Sequence, residues 1–185
     1  MLAITNKYCN ELTMSALYNF IESEKVAFNM ALWLHTFIDG DEEEAGEAVQ
    51  YAENGMTMRD YYMRGMPESC DTVACIGGSA ACLMATERGD PHDASDISEK
   101  HVCEWLGIDE ELGARLFYCM NDGSPVDYSR NAFTMNRLGK VTRDQALVAL
   151  TNVVRDGTPH WEDICADIDA AFIAETRGVY YTNAV

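Results

Sequence analysis

Apolar residues recur along this chain mostly three and four positions apart, the spacing that lines one face of an α-helix. Leu17, Phe20 and Ile21 make a first stripe after Thr13, which can cap it. A second helical stretch carries Phe28, Leu32, Trp33 and Phe37 and stops at Asp39-Gly40. Asp41 to Glu53 reads as an acidic helix with Ala45, Val49 and Ala52 inward. Thr72 to Thr86 reads as a small-residue helix capped by Asp71 or Thr72, and Gly89 to Ser95 as a polar break. Ser98 caps a helix through Trp105 that Gly107 ends, and Asp109 to Cys119 follows with acids in its first turn, where the macrodipole favours them. Asn121-Asp122-Gly123-Ser124-Pro125 marks a turn. Thr142, with Gln145 three residues on, is a capping-box pattern opening a helix to Val154, which Asp156-Gly157-Thr158-Pro159 breaks. The last predicted helix, His160 to Glu175, sets Trp161, Ile164, Ile168 and Phe172 on one face, and Tyr180-Tyr181-Thr182 follows as a frayed tail or one short strand. The expected fold is all-α: a compact bundle of about seven helices in a single domain, 1–185, with 39–66 as an acidic insertion and 156–185 as a C-terminal helix and tail.

Composition adds constraints to this pattern. Hydrophobic residues make up 48% of 185 positions, enough for one core and too many for a disordered chain. No apolar run approaches the roughly 20 residues of a membrane span. Met1 to Leu12 holds no apolar signal core, so the expected location is cytoplasmic. There are seven cysteines, an odd number, and in a reducing compartment such residues behave mostly as buried small hydrophobes.

Charge is the strongest global signal. Against 31 acidic residues stand 13 basic ones, a formal net charge of −18. That balance repels phosphate backbones and anionic bilayers, so direct nucleic-acid binding and membrane association are not expected. It serves either solubility or a protein partner with a basic surface. The carboxylates gather in two runs. Asp41, Glu42, Glu43, Glu44 and Glu47 lie in the first, and Asp163 and Asp167, one helical turn apart, lie in the second opposite Ile164, Ile168 and Phe172. Unpaired like charges at that spacing are mildly destabilising, and mimicry of a phosphate ladder would give them a purpose.

The distinctive segment is Ser69-Cys70-Asp71-Thr72-Val73-Ala74-Cys75-Ile76-Gly77-Gly78-Ser79-Ala80-Ala81-Cys82. As one helix it would put Cys75 in the second turn, on the same face as Cys82 seven residues on. Ala74, Gly78, Ala81 and Ala85 would form a stripe open to another helix backbone. A glycine inside a helix costs about 1 kcal/mol relative to alanine, so Gly77 and Gly78 together imply a close contact.

Four stretches, Phe28-Asn29-Met30-Ala31-Leu32-Trp33, Cys70 to Ala80, Leu106-Gly107-Ile108 and Leu116-Phe117, resemble a group of small proteins of bacteria and their phages. In that group a Phe-Asn-Met-x-x-Trp segment precedes a Cys-Gly-Thr-x-x-Cys-Ile-x-Gly-x-Ala motif, a Leu-Gly-Ile/Leu step and a Leu-Phe pair. The helix from Thr142 to Leu150 resembles the group's closing helix, and the resemblance runs over residues 12–155, with Asp39 to Met66 as an insertion. Here Asp71 replaces the usual Gly, and Ser79 stands where an aromatic or His is common. The resemblance implies architecture and a bacterial or phage origin, and it brings no activity with it.

No catalytic constellation emerges. His35, His92, His101 and His160 lie in no catalytic motif, Cys-x-x-Cys is absent, and Ile76-Gly77-Gly78-Ser79 lacks the Gly-Lys-Ser/Thr of a phosphate loop. Asp39-Gly40-Asp41-Glu42-Glu43 lacks the glycine at position six of an EF-hand. A zinc site would draw on Cys70, Cys75, Cys82 and His101, with Cys103 nearby, at spacings unlike the usual paired ligands. The leading expectation is a non-enzymatic acidic binding protein that inhibits a host nucleic-acid-binding or defence protein. The alternatives are a metal- or thiol-dependent protein centred on Cys70, Cys75 and Cys82, and a homo-oligomer joined through the Met- and Tyr-rich segment Met56 to Met66.

Overall fold

Local capping chemistry decides where most of the described helices begin and end. The computed structural model describes residues 7–24, 26–30, 33–36, 72–89, 94, 96–118 and 139–168. Helix α1 (Glu11–Glu22) starts at Asn10, whose side chain accepts from the amide of Leu12 at 3.1 Å. Two short strands follow, β1 (Ala27–Phe28) and β2 (Leu34–Thr36), and a third, β3 (Thr72–Ala74), leads through Cys75 into α2 (Ile76–Arg88). Helix α3 (Glu99–Leu106) is capped by Ser98 and closed by Gly107, and α4 (Glu110–Phe117) is capped by Asp109. The Thr142–Gln145 capping box opens α5 (Arg143–Asp156): the Thr142 amide donates to Gln145 Oε1 at 2.8 Å and the Gln145 amide to Thr142 Oγ1 at 3.3 Å. Gly157, at φ 82°, closes α5, and its bare Cα lies against the ring of Tyr8, where a side chain would clash. Helix α6 (Trp161–Ile164) ends at Cys165.

The described residues are mostly helical, as the periodicity predicts, and they depart from an all-α bundle by one small sheet. Its order is β1-β3-β2: β3 pairs parallel with β1, Ala27 opposite Val73, and antiparallel with β2, Leu34 opposite Ala74. The helix expected from Phe28 to Phe37 is therefore replaced, where described, by two strands. The helix expected from Thr72 starts four residues later, because Thr72, Val73 and Ala74 are committed to the sheet ladder. Cys75, not Asp71 or Thr72, is its cap. The final helix is interrupted at Cys165, where φ is −103° and ψ 12°, so Asp163 and Asp167 do not lie on one continuous helix. The predicted Asp41–Glu53 helix, the Met56–Met66 segment, the 39–66 insertion and the Asn121–Pro125 turn lie outside the described residues.

Helix α2 sits at the centre. Ile76, Gly77, Gly78, Ser79, Ala80 and Ala81 are all buried, and α1, α3 and α4 pack around it. The close contact implied by Gly77-Gly78 is made with the segment entering β2. A Cβ on Gly77 would fall within the ring of Trp33, and one on Gly78 would fall on the Trp33 carbonyl. The same ring packs edge-on against Phe117, centroids 5.7 Å apart at 80°, an arrangement worth about 1 kcal/mol beyond burial. At the other side of the core α1 docks on the end of α3: the Asn10 amide donates to Leu106 O at 2.7 Å and the Thr13 hydroxyl to Trp105 O at 3.0 Å. Carbonyls that a helix C-terminus leaves open are thus satisfied by tertiary contacts.

Candidate functional site

Helix α6 and the turn before it are held by three hydrogen bonds from side chains to main-chain carbonyls. The buried Asn152 amide donates to Pro159 O at 3.1 Å, Gln145 Nε2 to Ile164 O at 3.0 Å, and the indole of Trp161 to Arg115 O at 2.9 Å. Trp161 itself is fully buried. Pro159 and these bonds turn the chain back over the end of α5 and place His160 in the left-handed region, φ 58° and ψ 46°. Few non-glycine residues occupy that region, and histidine is among the more tolerant.

His160 is the residue before α6, but its ring makes no capping bond. It faces two carboxylates instead. Nε2 lies 3.1 Å from both oxygens of Asp156, and Nδ1 lies 3.8 Å from Glu162 Oε1. Asp156 also accepts from Arg155 Nε at 3.0 Å and Nη2 at 2.8 Å, and from the Thr158 amide at 3.3 Å. Those donors, Arg155 first and His160 after it, hold the Asp156 carboxyl below the usual range. An ionised carboxylate can only accept, so His160 carries its hydrogen on Nε2 toward Asp156. Nδ1 is left facing Glu162, and Asp163 completes a group whose nitrogen and carboxylate oxygens lie within 4.8 Å of one another. An open cleft of about 400 Å³ borders the group, lined by Val148, Asn152, Arg155, His160, Asp163 and Ile164.

The cysteine motif has a different surrounding. Cys75 is buried and its sulfur accepts from the Gly78 amide at 3.5 Å, while the thiol donates to the Trp33 carbonyl at 3.7 Å. Burial pushes this thiol up to about 11, so it is protonated at neutral pH, whereas a metal takes the thiolate. Cys82 is half-buried on α2 and His101 is exposed on α3, its Nδ1 3.0 Å from the Ser98 hydroxyl. Among the described residues, Cys75, Cys82 and His101 do not come together in a ligand group, and Cys70 lies outside those residues. Cys103, also buried, lies where a side chain on Gly113 would be and feels Glu99, Glu110, Asp109 and Glu104. Burial first, and these carboxylates after it, push its thiol up to about 11.

Of the predicted partner-binding residues, Asp41, Glu42, Glu43, Glu44 and Glu47 lie outside the described residues. Asp163 and Asp167 are exposed, with Trp161 turned inward and Ile164 and Ile168 packed against the core. Sequence reasoning selects Asp163 and passes over its grouping with His160 and Glu162. The available signal was the spacing Asp156-x-x-x-His160-x-Glu162-Asp163 across a Gly-Thr-Pro turn. Comparison with protein-family models, curated proteins and solved structures gives no match for this chain.

Proposed function

We propose that this chain is a non-enzymatic binding protein that offers exposed carboxylates to a basic surface on a protein partner, of the kind built to hold nucleic acid. The observation that carries this reading is the unneutralised charge of α6 and its continuation. Asp163 and Asp167 are exposed, and among the described residues neither pairs with a lysine or arginine. The basic residues that do form ion pairs there, Arg143 with Glu24 and Arg155 with Asp156, are committed elsewhere. Exposed Glu104, Asp109, Glu110 and Glu111 add a second acidic surface at the α3–α4 corner. With the net charge of −18, such surfaces favour fast, salt-sensitive association with a cationic groove. On this reading the target is a nucleic-acid-binding or defence protein of a bacterial host.

The test is affinity capture from bacterial lysate with the full chain, followed by binding measurements on each captured protein. Retention should fall steeply between about 0.05 M and about 0.3 M salt, as surface charges become screened. The combined change Asp163→Lys and Asp167→Lys should abolish it, and duplex DNA should compete. A partner held equally well by both proteins and at both salt concentrations, undisturbed by DNA, would overturn the reading.

A further inference from the structure

The geometry points to a divalent metal site at His160, Glu162 and Asp163, taking a first-row cation of the zinc or manganese class and opening onto the cleft beside α5. Three features of the group favour a cation over an empty arrangement. The first is the ligand set. One imidazole nitrogen and two carboxylates lie within 4.8 Å of one another, with Nδ1 3.8 Å from Glu162 Oε1. Ligand atoms around one such ion stand about 3 to 4 Å apart, given metal–ligand bonds of about 2.1 Å. Small rotations of the half-exposed Glu162 and exposed Asp163 side chains reach that spacing.

The second feature is the orientation of the imidazole. Nε2 faces Asp156, so Nδ1 is the ring nitrogen turned toward Glu162. This carboxylate–histidine arrangement is the one that commonly orients a metal-bound imidazole and raises its basicity. Asp156 is thereby a positioning residue, itself held by Arg155 and the Thr158 amide. The third is charge. One imidazole nitrogen and two carboxylates converge, and among the described residues no lysine or arginine pairs with Glu162 or Asp163. A mixed nitrogen and oxygen set suits zinc or manganese better than calcium or magnesium, which prefer oxygen alone. Three protein ligands leave coordination positions free. The site stands on a fixed base, because the bonds from Asn152, Gln145 and Trp161 hold the backbone on both sides of His160.

The inference shares Asp163 with the partner reading, and the two fail separately because metal binding is measured on the protein alone. Full-length chain is stripped with chelator and titrated with Zn²⁺ by calorimetry, in parallel with His160→Ala and the pair Glu162→Gln, Asp163→Asn. One equivalent bound by wild type and absent from both variants is the expected result. Asp156→Asn should retain the site but weaken it about 10- to 100-fold, the usual effect of losing the group behind a ligating histidine. Co²⁺ separates this site from a cysteine one: nitrogen and oxygen ligands give visible d–d bands without thiolate charge transfer. Circular dichroism of the stripped variants, unchanged from wild type, excludes simple unfolding. Zinc stoichiometry unaffected by either variant, a thiolate band with Co²⁺, or no saturable binding would each overturn the assignment.

Discussion

The carbonyl oxygen of Trp33 rests on the bare Cα of Gly78, so close that a methyl group there would occupy the same space. Replacing a helical glycine by alanine ordinarily stabilises by about 1 kcal/mol. Here the sign reverses. Gly77→Ala and Gly78→Ala should each destabilise by about 1 to 3 kcal/mol, as overpacking does. The two are relieved differently: Gly77 meets the Trp33 ring, whereas Gly78 meets the main chain. Trp33→Ala should therefore shrink the cost of Gly77→Ala and leave that of Gly78→Ala unchanged. Urea unfolding of the single and double variants measures both couplings.

Gln145 does two things at once, and they can be separated. Its Oε1 accepts from the Thr142 amide, closing the capping box, and its Nε2 donates to Ile164 O in α6. Gln145→Glu keeps the acceptor, since glutamate serves equally in a capping box, but loses the donor. Amide exchange should therefore quicken around Trp161 to Cys165 while the first turn of α5 stays protected. Thr142→Ala should do the converse, loosening the start of α5 at a cost of about 1 kcal/mol.

The caps at Ser98 and Thr142 were legible because each is a hydrogen bond spanning three residues, written wholly in local sequence. The sheet was not. Its strands hold two or three residues each, too few to show a period of two, and Ala27 finds its partner at Val73, far along the chain. Gly77-Gly78 announced a close approach without naming Trp33, because sequence shows the missing Cβ and not what fills its place. His160 falls between these cases. Its spacing of four from Asp156 is one that brings side chains together on a helix, but Gly157 ends α5 between them, and the turn through Pro159 folds the ring back onto that carboxylate.

Thiol accessibility divides the cysteines of α2. Cys75 is buried, with its sulfur bonded at the helix start, while Cys82 on the same helix is half-buried. Iodoacetamide at pH 8 should label Cys82 well before Cys75, Cys103 or Cys165, which are all buried. Mass spectrometry of digests taken over time reads the order. Labelling of Cys75 at the rate of Cys82 would contradict the sheet-to-helix junction that encloses it.

Alkaline stability depends on the same buried thiol. Cys75 titrates at about 11 in the folded protein against 9.0 for an unconstrained thiol, because burial disfavours the thiolate. Below 9.0 both folded and unfolded chains hold this proton, and the stabilising contribution is complete. As pH rises from 9.0 to about 11 the unfolded chain releases the proton first, so that contribution is progressively lost. One proton taken up differentially corresponds to a slope of about 1.4 kcal/mol per pH unit. Cys75→Ser keeps a competent helix cap and removes the titration. Its denaturant midpoint should decline less steeply across this window than that of wild type. Parallel decline in the two proteins would mean that the Cys75 thiol is open to water.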